Sequence, residues 1–237
     1  MRRILPLIIF SLCLVLSGCG SNEESSSPVS DPAELTKRAI GIQETGAYDE
    51  AIEILDLALK SDPQYAPAYF QKGLIFEEWD KRNEALAAYK KAVEINPSYD
   101  EARLGLASVY GKSVQNVLAV EQYLKVAETR KDDPDIHFKI ALEYWYLQDI
   151  PKTIEFYSKV IKINPKYLQA HMNLISVYER TKNWEKAIEE IEVVKQLAGE
   201  TQNLQVINIV ENKLKFIQGR MNLTKQEMKR KTEPPFD

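Results

Sequence analysis

The 237-residue sequence has little cysteine, glycine or histidine and no excess of positive charge. Its only cysteines, Cys13 and Cys19, both lie near the N-terminus. They can build neither a disulfide framework nor a Cys-x-x-Cys metal or redox spacing. Nine glycines in a chain rich in Ala, Leu, Glu and Lys disfavour a turn-dense sandwich or barrel and favour helices. A net charge of −4 argues against a general nucleic-acid coat. No His-Glu-x-x-His, Gly-x-Ser-x-Gly or phosphate-cradling glycine loop occurs. With 44% hydrophobic and 28% charged residues, the chain nonetheless has the composition of a folded protein.

The N-terminus reads as an address. Arg2 and Arg3 precede a mostly apolar run, Ile4 to Leu16. That run is shorter than the ~20 residues a spanning helix needs and suits a signal-peptide core. Leu16-Ser17-Gly18-Cys19 follows at once and resembles the lipobox of bacterial lipoproteins. The resemblance implies removal of residues 1–18 and acylation of Cys19, palmitate included. More than one acyl chain gives stable membrane anchoring. Gly20 stands where Asp would retain such a protein in an inner membrane, which tilts the expected location to the outer membrane of a diderm envelope. In a monoderm it would be the outer face of the cytoplasmic membrane. Residues 19–31, with Ser25-Ser26-Ser27-Pro28, read as a flexible tether.

From residue 32 a period of 34 takes over. Pro63, Pro97 and Pro165 fall on one grid; Ala51, Ala85, Ala119 and Ala187 fall on another, with Thr153 in the gap. Tyr110, Tyr144 and Tyr178 repeat behind Ile42 and Phe76. These columns resemble the tetratricopeptide (TPR) family, whose unit is a helix with small and aromatic positions, a turn, then a second helix closing on Pro. The resemblance implies an all-α, right-handed solenoid of antiparallel helix pairs, in five units: 32–65, 66–99, 100–133, 134–167 and 168–201. Lys131 in the Pro column, and Val126, Thr153 and Val160 where small residues are usual, are departures that still allow folding.

The packing logic supports this without the name. Ala39, Gly73, Ala107 and Ala141 in the first helices face the small column of the second helices, so two backbones can approach closely. The seam beside them is filled by Ile42, Phe76, Tyr110, Tyr144 and Tyr178, and by Leu55, Tyr89, Tyr123, Tyr157 and Ile191. Each unit buries its apolar face only by stacking on the next. Beyond Thr201, Leu204, Ile207, Val210, Leu214 and Ile217 form an amphipathic stripe, expected as a capping helix over 202–220. Residues 221–237 are expected to form a basic tail suited to anionic lipid or an acidic partner.

Function should then lie on the inner wall. In TPR proteins, positions 5, 9 and 12 of the first helices line a concave groove. Position 5 holds Thr36, Phe70, Leu104, Phe138 and Met172 here. Position 9 holds Ile40, Leu74, Ser108, Leu142 and Ser176. Position 12 holds Gln43, Glu77, Gly111, Trp145 and Glu179. Thr36 and Ile40 replace the Lys and Asn with which some relatives grip a chaperone's C-terminal carboxylate. The expected guest is a peptide or protein with apolar side chains, anchored by Phe70, Phe138 and Trp145. Glu77, Glu78 and Glu143 read as carboxylates on a solvated helix face. His137 and His171, one period apart, are packing residues first and paired metal ligands of an enzyme only as a distant alternative. No catalytic residue, metal or cofactor is expected. The architecture also resembles pilotin-type lipoproteins that guide the secretins of type IV pili; an adaptor for cell-wall enzymes is a further alternative.

Overall fold

The structure, a computed structural model, describes residues 31–232. The apolar run, Cys19, most of the tether and the last five residues lie outside the described part. Eleven helices and no strand are found among the described residues. The all-α class expected from the sequence is the one observed. In order they pair as α1 (Pro32–Gln43) with α2 (Tyr48–Ser61), α3 (Ala66–Glu78) with α4 (Arg82–Ile95), α5 (Asp100–Lys112) with α6 (Asn116–Thr129), α7 (Pro134–Tyr146) with α8 (Ile150–Ile163), and α9 (Leu168–Arg180) with α10 (Trp184–Glu200). The last, α11 (Leu204–Thr232), packs on α10 and continues without a break past residue 220.

The turn inside each pair has one recurring shape. Gly46, Asp80, Val114, Gln148 and Lys182 all have positive φ and stand 34 residues apart. Only the first is glycine. In the other four, the next residue's N–H reaches back to close the helix: Lys81 to Phe76 O, Gln115 to Tyr110 O, Asp149 to Tyr144 O, Asn183 to Tyr178 O. This Schellman closure satisfies carbonyls that the helix end leaves open and holds residues that disfavour the left-handed region. Val114 is the costliest of them, because a β-branched side chain at φ 59° is strained.

The turns between pairs use side chains. Asp62, Asn96 and Asn164 each accept an N–H from two residues on with Oδ1, at 2.8, 3.1 and 3.0 Å, directly before Pro63, Pro97 and Pro165. Where Lys131 breaks the column, Arg130 instead binds Asp100 at 3.3 Å and Glu101. Asp31, Asp133, Asp149 and Asn183 cap their helices with side-chain oxygens.

Packing follows the small columns. Ala39, Ala107 and Ala141 are fully buried against a column in which Ala51, Ala85, Ala119, Thr153 and Ala187 are also fully buried. A Cβ on Gly73 would lie 2.4 Å from the Tyr89 ring, and one on Gly105 2.6 Å from it. Tyr89 therefore slots between two glycines, one on each neighbouring first helix. The core divides in two: Leu35 to Ile75 form one cluster, and Ala85 to Ile217 a larger one.

Candidate functional site

Of the odd-numbered helices, α1 touches α3 and α3 touches α5 directly, and α1, α3, α5, α7 and α9 carry the side chains expected on the inner wall. Their exposure varies. Thr36 is buried, its hydroxyl donating to Pro32 O at 2.7 Å, whereas Ile40 is 40% exposed. Leu74, Leu104, Leu142 and Met172 are half-buried. Phe70 packs between Tyr89 and Tyr99, with centroids 5.9 and 5.1 Å away. Phe138 repeats the device between Tyr157 and Tyr167, at 5.5 and 5.3 Å. In both cases the position-5 ring is packed between two tyrosines of its own unit, and so it is only partly available to a guest. Trp145 is half-buried and has the Arg180 guanidinium over its ring, 5.0 Å from the centroid.

Polar ties lace this face. Gln71 donates to Gln43 across α1 and α3. Glu77 accepts from the Tyr89 hydroxyl at 2.6 Å and from Lys112 at 2.9 Å, joining α3 to α5. Glu179 meets Lys213 at 2.5 Å, joining α9 to α11. The inner wall thus carries polar ties among its apolar side chains. A correction concerns Glu143. It does not lie on a solvated face: it is only 7% exposed, and its Oε2 accepts from Asn116 Nδ2 at 2.7 Å. Burial raises its pKa above the usual carboxylate range, against the opposing Asn116 hydrogen bond. Sequence reasoning missed this residue although the 34-residue grid carried the signal: position 10 also holds Ile75, Val109 and Val177, all buried.

Two pockets open on this face. The larger, about 470 Å³, is lined by Ser108, Gly111, Lys112, Val114, Asn116, Tyr123, Glu143 and Tyr146. The second, about 260 Å³, is lined by Leu142, Trp145, Tyr146, Tyr157, Asn173, Ser176 and Val177. Tyr146, 60% exposed, borders both.

The histidines belong elsewhere. His171 Nε2 meets Pro165 O at 3.0 Å and its Nδ1 meets Glu190 at 2.6 Å, a bond that raises the imidazole pKa. His137 Nε2 meets Lys131 O at 2.7 Å, and Arg103 makes the equivalent contact to Pro97 O at 2.9 Å. Position 4 thus clips α5, α7 and α9 to the turns before them. Where Glu190 serves His171, Phe156 stands near His137, whose buried Nδ1 has no hydrogen-bond partner. Each histidine is bound into its own turn. Among the described residues no group of three or more His, Cys, Asp or Glu side chains could hold a metal ion, and no helix is long and apolar enough to cross a membrane.

Comparison with known proteins gives this geometry a family context. Residues 81–114 match the family described as TPR repeat, and residues 134–167 the one described as tetratricopeptide repeat. Anaphase-promoting complex subunit 3 of Schizosaccharomyces pombe is 24% identical over 157 residues, covering 66% of this chain and 24% of that protein. The chain spans less than half the length of the first curated relatives it matches. Among solved structures, MamA from Desulfovibrio magneticus RS-1 superposes with a TM-score of 0.65 at 20% identity, over 72% of this chain and 97% of that one. YrrB, titled a TPR protein with an unusual peptide-binding site, superposes with a TM-score of 0.66 at 19% identity, over 77% and 93%. The chain is an all-α protein of the TPR fold and carries tetratricopeptide repeats.

Proposed function

We propose that this chain is a protein–protein interaction scaffold that holds an extended or helical segment of another protein along its odd-numbered helices. The observation that carries the reading is the pair of adjoining pockets, about 470 and 260 Å³, that share Tyr146. Concave, partly apolar surfaces with a few placed polar groups are where ligands bind. An exposed aromatic between two such hollows is the type of residue that dominates interface energetics. A peptide-binding site in a fold-mate such as YrrB agrees with this use of the fold. The expected guest supplies apolar side chains to the Leu142–Trp145 hollow. Nothing in the arrangement calls for catalysis, and we assign none.

Membrane anchoring belongs to the same proposal. It rests on Leu16-Ser17-Gly18-Cys19 behind an apolar run of signal-peptide length. An anchored scaffold would serve cell-envelope assembly, with pilotin-like guidance of a secretin as one instance. Two experiments test the two halves. Crosslinking in the native envelope, followed by mass spectrometry, should recover a protein partner, and Trp145→Ala with Tyr146→Ala should abolish its capture while the circular dichroism stays helical. Unchanged capture by that folded variant removes the groove reading. A clickable palmitate analogue should label the chain but not its Cys19→Ala variant; equal labelling of both removes the anchor.

A further inference from the structure

The larger pocket has a floor that the groove reading does not use. At position 12 the units carry Gln43, Glu77, Trp145 and Glu179, but the third carries Gly111. The missing side chain leaves a notch, and the Glu143 carboxylate lies against it: a Cβ on residue 111 would stand 2.6 Å from Glu143 Oε1. Oε2 is satisfied by Asn116, but among the described residues Oε1 has no hydrogen bond or ion pair. The column around it makes the vacancy specific. Tyr89 donates its hydroxyl to Glu77 and Tyr157 receives Asn173, yet the Tyr123 hydroxyl, between them in the repeat, has no hydrogen-bond partner among the described residues and borders the notch. The pocket's one cation, Lys112, is engaged with Glu77. The notch is therefore a half-satisfied, largely buried carboxylate under an open mouth, flanked by two tyrosine rings.

We propose that the Gly111 notch is a specificity site for a basic side chain, arginine or lysine, of the bound polypeptide. Charge complementarity carries this choice. The open oxygen faces the pocket mouth and can take a further donor, while the carboxylate as a whole is only 7% exposed, so a cation that reaches it gains a charge-assisted hydrogen bond. A guanidinium or ammonium supplies both charge and N–H donors to Oε1. Its stem can lie along Val114, and the faces of Tyr123 and Tyr146 favour a cation nearby. A guest carboxylate would meet repulsion in the same place, and an alkyl chain would leave Oε1 unpaired. The groups facing Glu143 are Lys112, Tyr123 and Tyr146, and none of them neutralises it.

The site deepens the groove reading and rests on it for its biological guest, but it can be tested without any guest protein. N-acetyl-arginine methylamide and N-acetyl-lysine methylamide are titrated into the folded chain, with N-acetyl-norleucine methylamide as the uncharged control. Amide NMR shifts of Gly111, the Asn116 side-chain NH₂ and the Glu143 carboxyl carbon are followed. Saturable shifts with the two cations, at least tenfold weaker with the norleucine probe, are expected, together with a lowered Glu143 titration midpoint. Glu143→Gln, which can keep the Asn116 hydrogen bond, should weaken the cations at least tenfold. Gly111→Ala should do the same by filling the notch, and if that variant does not fold, Glu143→Gln and Tyr123→Phe decide. Undiminished cation binding by Glu143→Gln, equal binding of the norleucine probe, or no saturable shift in the native chain overturns the proposal. Any of these results leaves the partner-capture test of the groove intact.

Discussion

Gly73 and Gly105 show how single atoms govern this molecule. Each faces the buried Tyr89 ring so closely that a methyl group has no room. Gly73→Ala should destabilise the chain by about 1–3 kcal/mol, the usual range for overpacking, read as a lower urea midpoint at constant m-value. A result within error of the native chain would mean that Tyr89 moves aside freely. His171 makes the residue-scale case for pH. Its folded pKa is raised, first by the Glu190 hydrogen bond. The imidazolium form is thus favoured in the folded state, and its stabilisation is complete below the unfolded value of about 6.5. It fades as the pH climbs through the raised folded value. Glu190→Gln should flatten that slope, measured as the change in urea midpoint between pH 6 and pH 8. The sequence marks these positions unevenly. Gly73 lies in a visible small column, and Ala51 with its equivalents is fully buried as that column suggests. Glu143 was legible only through its column, since Ile75, Val109 and Val177 share its place on the 34-residue grid and are all buried; a carboxylate there reads as solvated when taken alone. The turn-clipping role of His137 and His171 was hidden: periodicity places the rings but does not reveal the carbonyl each one reaches.

Among the elements, α11 is the one whose sequence and structure differ most. Its apolar stripe is plain in the sequence, and Val210 and Ile217 are fully buried. Its length was not, since Arg220, Lys225, Lys229 and Arg230 look like a tail and yet lie within the 29-residue helix. Lys and Arg are good helix formers, so a basic run after a docked stripe can prolong the helix. By closing α10, α11 covers Val194 and Ala198, both fully buried, and brings Lys213 to Glu179. Truncation after Thr201 should therefore lower the melting temperature and promote self-association, followed by light scattering. A truncated chain that melts like the native one and stays monomeric would show that α11 is dispensable. The inter-unit turns were legible only through Pro63, Pro97 and Pro165; the Asp or Asn before each, whose Oδ1 closes the turn, emerges from the structure. At Arg130-Lys131 the sequence showed only a gap, and the Arg130 ion pairs that fill it join residues some 30 positions apart.

In the whole molecule, the core's division into two clusters sets an order of opening. The first runs from Leu35 to Ile75; the second holds the bulk of the buried side chains. In repeat arrays stability is a sum of unit and nearest-neighbour terms, so the smaller end cluster opens at lower cost. Hydrogen exchange should be faster in α1 and α2 than in α7 and α8; equal protection throughout would mean that the array opens as one body. The fold was legible at this scale because its period is long, regular and uninterrupted over five units. The candidate site was legible only as a wall. Its position-5 rings were identified from spacing, but spacing does not reveal that Phe70 and Phe138 are shared with flanking tyrosines.

The ties along the odd-numbered helices, Gln43 with Gln71, Glu77 with Lys112 and Glu179 with Lys213, each reach one unit and no further. Such a chain contains no gauge of its own length. A 34-residue block could be duplicated or lost between two ties, and every surviving contact would find the same neighbour at the same separation. The reach of the inner face therefore grows in whole steps, by gene-level copying, while the character of any single step can drift on its own, as the third has done by exchanging a side chain for a glycine.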